Sequence, residues 1–235
     1  MTKGTLYGLG IGPGDPDLIT LKAYNILRCA PVLAYPAAEE QDSLARSIVE
    51  RHLPGGQIEV PIRMPMRVER FPAQEVYDWA AEELGKHLDA GRDIACLCEG
   101  DPFFYGSFSF LFERMVEHHN VQVVPGVSSL TGCAAVLGAP LATRNDTLAV
   151  LPATLGAEEL AARLNVADAA AIIKVGRHLE KVRTVLRECG LEENAHYVER
   201  ATMDNQQWMP LSEMAEANAP YFSMVLMHRR GAAWA

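Results

Sequence analysis

Apolar residues along the chain form short continuous runs that alternate with longer stretches in which they recur every three or four positions. The short runs predict buried strands, and the longer stretches predict amphipathic helices. The first unit has a strand at 5–9, a glycine-rich turn and a helix at 17–29, and the next strand lies at 32–35. Strands that alternate with helices in this way are typical of an α/β fold with a mainly parallel sheet.

The rest of the first half continues the alternation. Its remaining elements are helices at 43–51, 74–89, 107–118 and 128–137 and strands at 93–98 and 121–124. One further strand precedes the helix at 74–89, which gives about five strands in this block. We therefore expect a mainly parallel five-stranded sheet here.

Between residues 138 and 145 the periodicity is lost and the sequence turns polar, which indicates a domain boundary. A smaller second block follows. Its predicted elements are helices at 157–164 and 179–189, strands at 147–151, 169–175, 196–200 and 222–228, and a further short strand at 206–209. We expect two α/β domains, at 1–143 and 144–235, the second with a mixed sheet.

Composition and charge exclude several classes of function. The 235 residues are 49% hydrophobic and 22% charged, which is typical of a globular protein. The formal net charge of -9 opposes binding to nucleic acid and to anionic membranes. No apolar run approaches the ~18 residues that span a bilayer, and no secretion signal follows the first residues. We expect a cytoplasmic protein with neither nucleic acid nor membrane as partner.

The chain has five cysteines, an odd number without regular spacing. This pattern argues against a disulfide framework and favours a reducing compartment. Cys96 and Cys98 would share one face of a strand, but no second pair at metal-ligand spacing accompanies them. The sequence therefore predicts no metal site.

The most informative segment is the turn at 8–15, which has four glycines in seven positions directly after the first strand. Glycine allows positive φ and lets the backbone approach a ligand closely, so this turn indicates a nucleotide-type cofactor. The dinucleotide fingerprint G-x-G-x-x-G is not met, because Pro13 stands at its sixth position and lacks an N–H. This disfavours an NAD-linked oxidoreductase, and a tight turn with no ligand remains the structural alternative.

Two further loops follow predicted strands, at 99–106 and at 125–129. Ligands in open α/β sheets bind at the carboxyl ends of the strands, so we expect all three loops to face one edge of the sheet. Ser128 or Ser129 can hydrogen-bond a ligand there, and capping of the following helix is the alternative for either serine.

The motifs G-x-G-P-G-D, G-D-P-x-x-Y-G and P-G-x-S-S occupy these three loops in that order, and the whole chain resembles the tetrapyrrole methyltransferases. This resemblance implies two domains that bind S-adenosylmethionine, the methyl donor, in the cleft between them. It also implies a homodimer and no metal. Five segments are similar to the aerobic branch that methylates carbon 20 of precorrin-2, namely 33–36, 106–108, 174–178, 199–202 and 219–223.

Carried over where the motifs match, the resemblance implies ten donor-binding residues. They are Pro13, Glu99, Gly100, Asp101, Phe104, Tyr105, Ser128, Ser129, Val175 and Ala201. In the uroporphyrinogen III branch an aspartate ends the second strand and is assigned as proton acceptor, whereas this chain has Tyr35 and Pro36 there. The catalytic base is therefore left unassigned. Asp101, Tyr105 and His178 are candidates that the sequence does not rank.

Precorrin-2 carries eight carboxylates, so its site needs cations for the rim and apolar walls for the macrocycle. The candidates for substrate binding are Arg63, Met64, Met66, Arg67, Arg144, Lys174 and Arg177, with Arg70, His178 and Arg200 as further cations. A solvated surface charge is the alternative for each cation. Because one exposed ion pair contributes only ~0.2–1 kcal/mol, several would have to act together.

The expected function is methyl transfer from S-adenosylmethionine to carbon 20 of precorrin-2. Alternatives within the family are a cobalt-loaded substrate, another corrinoid carbon or a diphthine precursor. A module that binds a nucleotide or tetrapyrrole without turnover is the alternative from another class.

Overall fold

The computed structural model describes residues 2–39, 42–64 and 72–231. The chain divides into two compact units, Met1–Ser128 and Ser129–Ala235. The boundary between residues 143 and 144 that the polar segment indicates stays a prediction. Met66, Arg67 and Arg70 lie outside the described residues.

The first unit is built on a five-stranded sheet. Its strands are β1 (Thr5–Gly10), β2 (Val32–Ala38), β3 (Ile58–Met64), β4 (Ile94–Cys98) and β5 (Asn120–Val124). Their order is β3-β2-β4-β1-β5, and all neighbouring pairs are parallel. The expected parallel sheet is thereby confirmed.

Two helices cover each face of this sheet. Helices α1 (Leu21–Cys29) and α2 (Leu44–Val49) pack on the face that includes Leu9, Leu33 and Leu97. Helices α3 (Pro72–Asp89) and α4 (Phe108–Met115) pack on the face that includes Leu6, Val32 and Cys96. The inner strands β1, β2 and β4 are thus buried on both sides, which explains their continuous apolar runs, whereas the outer strands β3 and β5 are partly exposed.

Strand β2 runs three residues beyond its predicted end and passes through Pro36. Its pairing with β4 ends at Ala34, whereas its pairing with β3 continues to Ala38. Pro36 therefore lies where the strand has one neighbour, a position that tolerates a missing N–H.

The helix predicted at 17–29 consists of two pieces. A short 3₁₀ turn at Pro16–Leu18 precedes α1, which begins at Leu21. Thr20 separates them because its backbone is extended, and its Oγ1 accepts a hydrogen bond of 3.3 Å from the backbone N–H of Ala23. This is the contact of a helix N-cap.

The second unit contains a mixed five-stranded sheet, as expected. Its elements are α5 (Ser129–Leu137), β6 (Leu148–Pro152), α6 (Ala157–Val166), β7 (Ala169–Ile173), α7 (Leu179–Glu188), β8 (Ala195–Glu199), β9 (Gln207–Pro210) and β10 (Ser223–His228). The strand order is β6-β7-β10-β8-β9. The additional short strand predicted at 206–209 is present as β9.

In this sheet β6 is parallel to β7, and β10 is antiparallel to both β7 and β8. Strands β6, β7 and β8 therefore end at one edge, which we call the second-unit edge, and β10 begins there. Strands β7 and β8 end two residues and one residue earlier than predicted. The reason is that Lys174 and Arg200 adopt φ of 58° and 48°, which a strand does not accommodate.

No helix of the described ranges is long and apolar enough to cross a membrane.

Candidate active site

The three glycine-containing loops of the first unit meet at the carboxyl ends of their strands. Strands β4, β1 and β5 are neighbours, so the loops that follow them share one edge. The backbone N–H of Gly100 donates to the carbonyl of Gly12 at 2.8 Å, and that of Ile11 donates to the carbonyl of Cys98 at 3.1 Å. The expected convergence of the loops is confirmed.

The glycines of these loops mainly allow the loops to pack against each other. A Cβ on Gly126 would lie 2.1 Å from the carbonyl oxygen of Gly100, and a Cβ on Gly10 would lie 2.4 Å from the backbone N of Gly126. The glycine pattern alone predicted the close approach of a ligand. The structure shows a close approach of backbone to backbone instead, at two positions where any side chain would clash.

Asp101 joins two of the loops. Its Oδ1 accepts a hydrogen bond of 2.9 Å from the backbone N–H of Phe103, and its Oδ2 accepts one of 3.0 Å from the backbone N–H of Gly126. Charge-assisted bonds of this kind are stronger than neutral ones. Asp101 thus has a structural role, and its direct contact with a donor stays a prediction.

Glu99 is the residue that follows β4. Burial raises the pKa of its carboxyl, while hydrogen bonds from its own backbone N–H and from that of Ala45, in the first turn of α2, lower it. The net effect is a raised pKa, because burial disfavours the charged form. Glu99 is therefore a carboxyl that exchanges its proton closer to neutral pH than an exposed glutamate does.

A small cavity of about 40 Å³ lies beside Glu99. Pro36, Met64, Cys98, Glu99 and Gly106 are among its lining residues. It brings together Met64, a candidate for the substrate wall, and Glu99, a candidate for donor binding. Its volume suits little more than one water molecule.

The loop that follows β4 contains three consecutive aromatic residues, Phe103, Phe104 and Tyr105. The rings of Phe104 and Tyr105 meet edge to face at 5.2 Å, and Tyr105 is 48% exposed with φ of 55°. Phe103 packs against the rings of Phe108 and Phe112. A non-glycine residue held at positive φ stores strain, which is frequent at binding sites.

The remaining donor-binding candidates of the first loops differ in exposure. Pro13 is buried, Ser128 is half-buried, and Ser129 is the exposed first residue of α5. Ser128 therefore precedes the first residue of that helix, where capping and ligand binding both stay open interpretations.

The three glycine loops of the first unit contain acidic residues and no basic ones, although Arg63 lies at the end of β3 on the same side of the sheet. Residues 8–15, 99–106 and 125–128 include Asp15, Glu99 and Asp101 and no lysine, arginine or histidine. Such an edge complements a cationic ligand better than an anionic one.

Arg63 is the described cation at the end of β3. Its guanidinium donates to the carbonyl oxygens of Ala38 and Glu39 at 3.3 and 3.2 Å, and no carboxylate of the described residues pairs with it. It lines a depression of about 330 Å³ together with Arg46 and the acidic residues Asp42 and Glu50. Backbone carbonyls thus orient this guanidinium, in surroundings of mixed charge.

The second unit carries the other candidates. Val175 and Ala201 are buried, whereas Arg144, Lys174 and Arg177 are exposed. Arg144 has φ of 52° in a turn in which the backbone N–H of Thr143 donates to Asp146 at 2.7 Å. Lys174 and Arg177 lie on the second-unit edge, and Arg144 belongs to the segment that precedes β6.

Sequence reasoning missed two features of the second-unit edge. Tyr221 is 77% exposed and meets the ring of Phe222 edge to face at 4.9 Å. Arg200 is held by the buried Glu199, a contact between adjacent residues that strand alternation does not predict. Among the described residues no three His, Cys, Asp or Glu side chains are grouped as a metal site.

Comparison with known proteins identifies the family. The model for tetrapyrrole (corrin/porphyrin) methylases matches residues 5–215. The chain belongs to this family. Among tetrapyrrole methylases, the precorrin-2 C(20)-methyltransferase of Sinorhizobium sp is 42% identical, and the match covers 95% of each chain.

The chain is also similar to a second curated protein and to a solved structure. The cobalamin biosynthesis protein CobIJ of Mycobacterium tuberculosis (strain ATCC 25618 / H37Rv) is 41% identical over 96% of this chain and 46% of its own length. The chain thus spans about half the length of that curated relative. The native uroporphyrin III C-methyltransferase of Thermus thermophilus has a TM-score of 0.70 and 26% identity, over 95% of this chain and 97% of the other.

Proposed function

We propose that this tetrapyrrole methylase transfers the methyl group of S-adenosylmethionine to carbon 20 of precorrin-2. The observation that carries the proposal is the convergence of three glycine loops at one acidic edge, in a chain that matches a precorrin-2 C(20)-methyltransferase over 95% of both lengths. Pro36 supports it further, because the uroporphyrinogen branch carries an aspartate there.

The acidic side chains of the first-unit loops complement the positive charge of a sulfonium nucleoside. Asp15, Glu99 and Asp101 favour a ligand with positive charge, and Asp101 fixes the loop by accepting two backbone hydrogen bonds. The donor supplies an electrophilic methyl group. Carbon 20 forms a bond to this methyl carbon while the bond between the methyl carbon and sulfur breaks, and S-adenosylhomocysteine is the leaving group. Alignment of nucleophile and methyl group can be worth effective molarities of ~10⁵–10⁸ M.

The cations fit the carboxylate rim of the tetrapyrrole. Arg63 in the first unit and Arg144, Lys174 and Arg177 in the second are exposed, and Arg63 is oriented by two backbone carbonyls. Several such contacts acting together can select a polycarboxylate, whereas one exposed pair contributes little. Met64 supports an apolar wall because it packs against the core beside the 40 Å³ cavity.

Carbon 20 loses a proton after methylation, and Asp101, Tyr105 and His178 are the candidate acceptors. Both carboxylate oxygens of Asp101 accept backbone hydrogen bonds, which protonation would weaken. Burial, Lys181 and Arg177 lower the pKa of His178, which favours the neutral ring that a base requires and at the same time makes that ring a weaker base. We retain His178 and Tyr105 as the two candidates for the base.

Purified protein, precorrin-2 and methyl-labelled S-adenosylmethionine provide the test. We expect one methyl group in the product by mass spectrometry and its placement at carbon 20 by nuclear magnetic resonance. A parallel reaction with the cobalt-loaded substrate distinguishes the two branches. Binding of both ligands without transfer would favour a binding module, and methylation at another carbon would refute the assignment.

We further infer a homodimer in the cytoplasm that uses no metal and binds neither nucleic acid nor membrane. The net charge of -9 and the five free cysteines support this inference. Light scattering of the purified protein tests the dimer, and metal analysis of active protein tests the independence from metal.

A further inference from the structure

The second-unit edge is positively charged, in contrast to the acidic loops of the first unit. Segments 153–156, 174–178, 200–203 and 219–222 follow β6, β7 and β8 or precede β10. They contain Lys174, Arg177 and Arg200, while the nearest carboxylates in the chain are Glu199, which ends β8, and Asp204, further along the loop after β8. In a chain with net charge -9, this segregation of cations indicates a site for an anion.

Arg200 is held in place through both its backbone and its side chain. Its backbone has φ of 48°, and its N–H donates to the carbonyl of Phe222 at 2.8 Å. The left-handed conformation is unfavourable for a residue with a Cβ, so the surrounding structure must hold it. The consequence is that the Arg200 side chain returns toward Glu199, its neighbour in the chain.

Glu199 fixes the guanidinium. Its Oε1 accepts a hydrogen bond of 2.6 Å from Arg200, and its Oε2 accepts one of 2.6 Å from the hydroxyl of Tyr197. The Glu199 side chain is 10% exposed, and Tyr197 is fully buried in the core. Burial and the bond to Glu199 raise the pKa of Tyr197, so the hydroxyl remains a donor throughout the physiological range.

The arrangement leaves part of the guanidinium for a ligand. Glu199 is its partner among the described residues and uses one terminal nitrogen. The Arg200 side chain is 36% exposed, and its remaining N–H groups form the planar fork that matches a carboxylate.

We propose that Arg200 binds a carboxylate of the ligand and that Glu199 is the positioning residue that orients its guanidinium. The inference rests on the proposed function, because both of the reactants named there carry carboxylates. The tetrapyrrole offers its acidic side chains, and the methyl donor offers the carboxylate of its amino-acid group. The chemistry recognised is the same, and experiment separates the two sources.

The first experiment replaces Arg200 by alanine and measures binding to the whole protein by titration. Precorrin-2, S-adenosylhomocysteine and methylthioadenosine, which lacks the amino-acid group, are the three probes. Arg163→Ala is the matched control, because Arg163 is an exposed arginine of the same unit that pairs with Glu159 on α6. We expect Arg200→Ala to raise one Kd about tenfold, as for loss of one charged hydrogen bond.

The source of the carboxylate follows from which Kd changes. A weaker affinity for precorrin-2 alone assigns the tetrapyrrole, whereas a weaker affinity for S-adenosylhomocysteine but not for methylthioadenosine assigns the donor. Affinities equal to those of Arg163→Ala for all three probes would overturn the proposal. If the unmodified protein bound precorrin-2 without methyl transfer, the proposed function would be refuted. The titration would still test whether Arg200 binds a carboxylate of the ligand.

A double-mutant cycle tests the role of Glu199. If Glu199 acts through Arg200, the effects of Glu199→Ala and Arg200→Ala on the affected Kd will be far from additive. Glu199→Gln keeps an acceptor for Arg200 and should recover most of the affinity, which also covers the case in which Glu199→Ala does not fold. Additive effects, or no recovery in folded Glu199→Gln, would show that Glu199 is not a positioning residue.

Discussion

Replacement of Gly126 by alanine tests whether the packing of the glycine loops creates the donor site. The added Cβ would lie 2.1 Å from the carbonyl oxygen of Gly100 and 2.7 Å from the Cα of Gly10. Ordinary contact begins at 3.4 Å, so the two backbones would have to separate by about 1.3 Å. Both clashing atoms belong to the backbone, so neither can be relieved by rotation of a flexible side chain.

The expected cost follows from this geometry. Overpacking of this kind costs about 1–3 kcal/mol. The same separation would break the 3.0 Å bond from Gly126 to Asp101, at about 1 kcal/mol more. A total of about 2–4 kcal/mol corresponds to a Tm lower by roughly 4–16 °C for a chain of this size.

The assay combines a thermal melt with calorimetric titration of S-adenosylhomocysteine. We expect Gly126→Ala to lower Tm and to weaken binding about tenfold, because a shift of 1 Å displaces the loop backbone. Gly85→Ala in α3 is the control, since its Cβ would meet His119 at an ordinary 3.6 Å. Lowered Tm with unchanged affinity would refute the assignment of these loops to the donor, and no change in either would refute the packing argument.

Three further substitutions test other contacts. Asp101→Asn keeps one acceptor but places an amide against a backbone N–H, so Tm and donor affinity should both fall; full donor affinity would contradict the joining role of Asp101. Hydrogen bonds from Tyr35 and Arg46 lower the pKa of Glu59, so its contribution to stability is complete above its ordinary pKa of 4.5 and is lost as pH falls through the lower folded value. Glu59→Gln should therefore lower Tm at neutral pH, with a difference that shrinks in acid; a constant difference would count against this coupling. Arg63→Ala should raise the KM for the tetrapyrrole roughly three- to tenfold and leave the Kd of S-adenosylhomocysteine unchanged, and equal changes in both would exclude a purely substrate-binding role.

Periodicity was sufficient to predict the architecture, because the inner strands are buried on both faces and the amphipathic helices bury one face. The parallel first sheet, the mixed second sheet and the short strand β9 all follow from it. The ends of β7 and β8 do not, because they are set by positive φ at Lys174 and Arg200, and no residue type signals that conformation there.

The location of the candidate site could be predicted from the sequence, but the contacts that form it could be predicted only in part. Three glycine loops after three strands predicted one edge, since the carboxyl ends of parallel strands lie together. The close contact with Gly100 allows only glycine at position 126, and Asp101 accepts a hydrogen bond from Gly126. Both facts depend on distances between loops that are far apart in sequence. The role of Glu199 escaped prediction for a related reason, because alternation places adjacent side chains on opposite faces.

A crystal structure with S-adenosylhomocysteine tests the central claim most directly. We predict the nucleoside within contact distance of the backbone at 12–13 and 99–101, on the acidic edge of the first unit. A ligand bound away from these loops, with the loops still packed as described, would contradict the account.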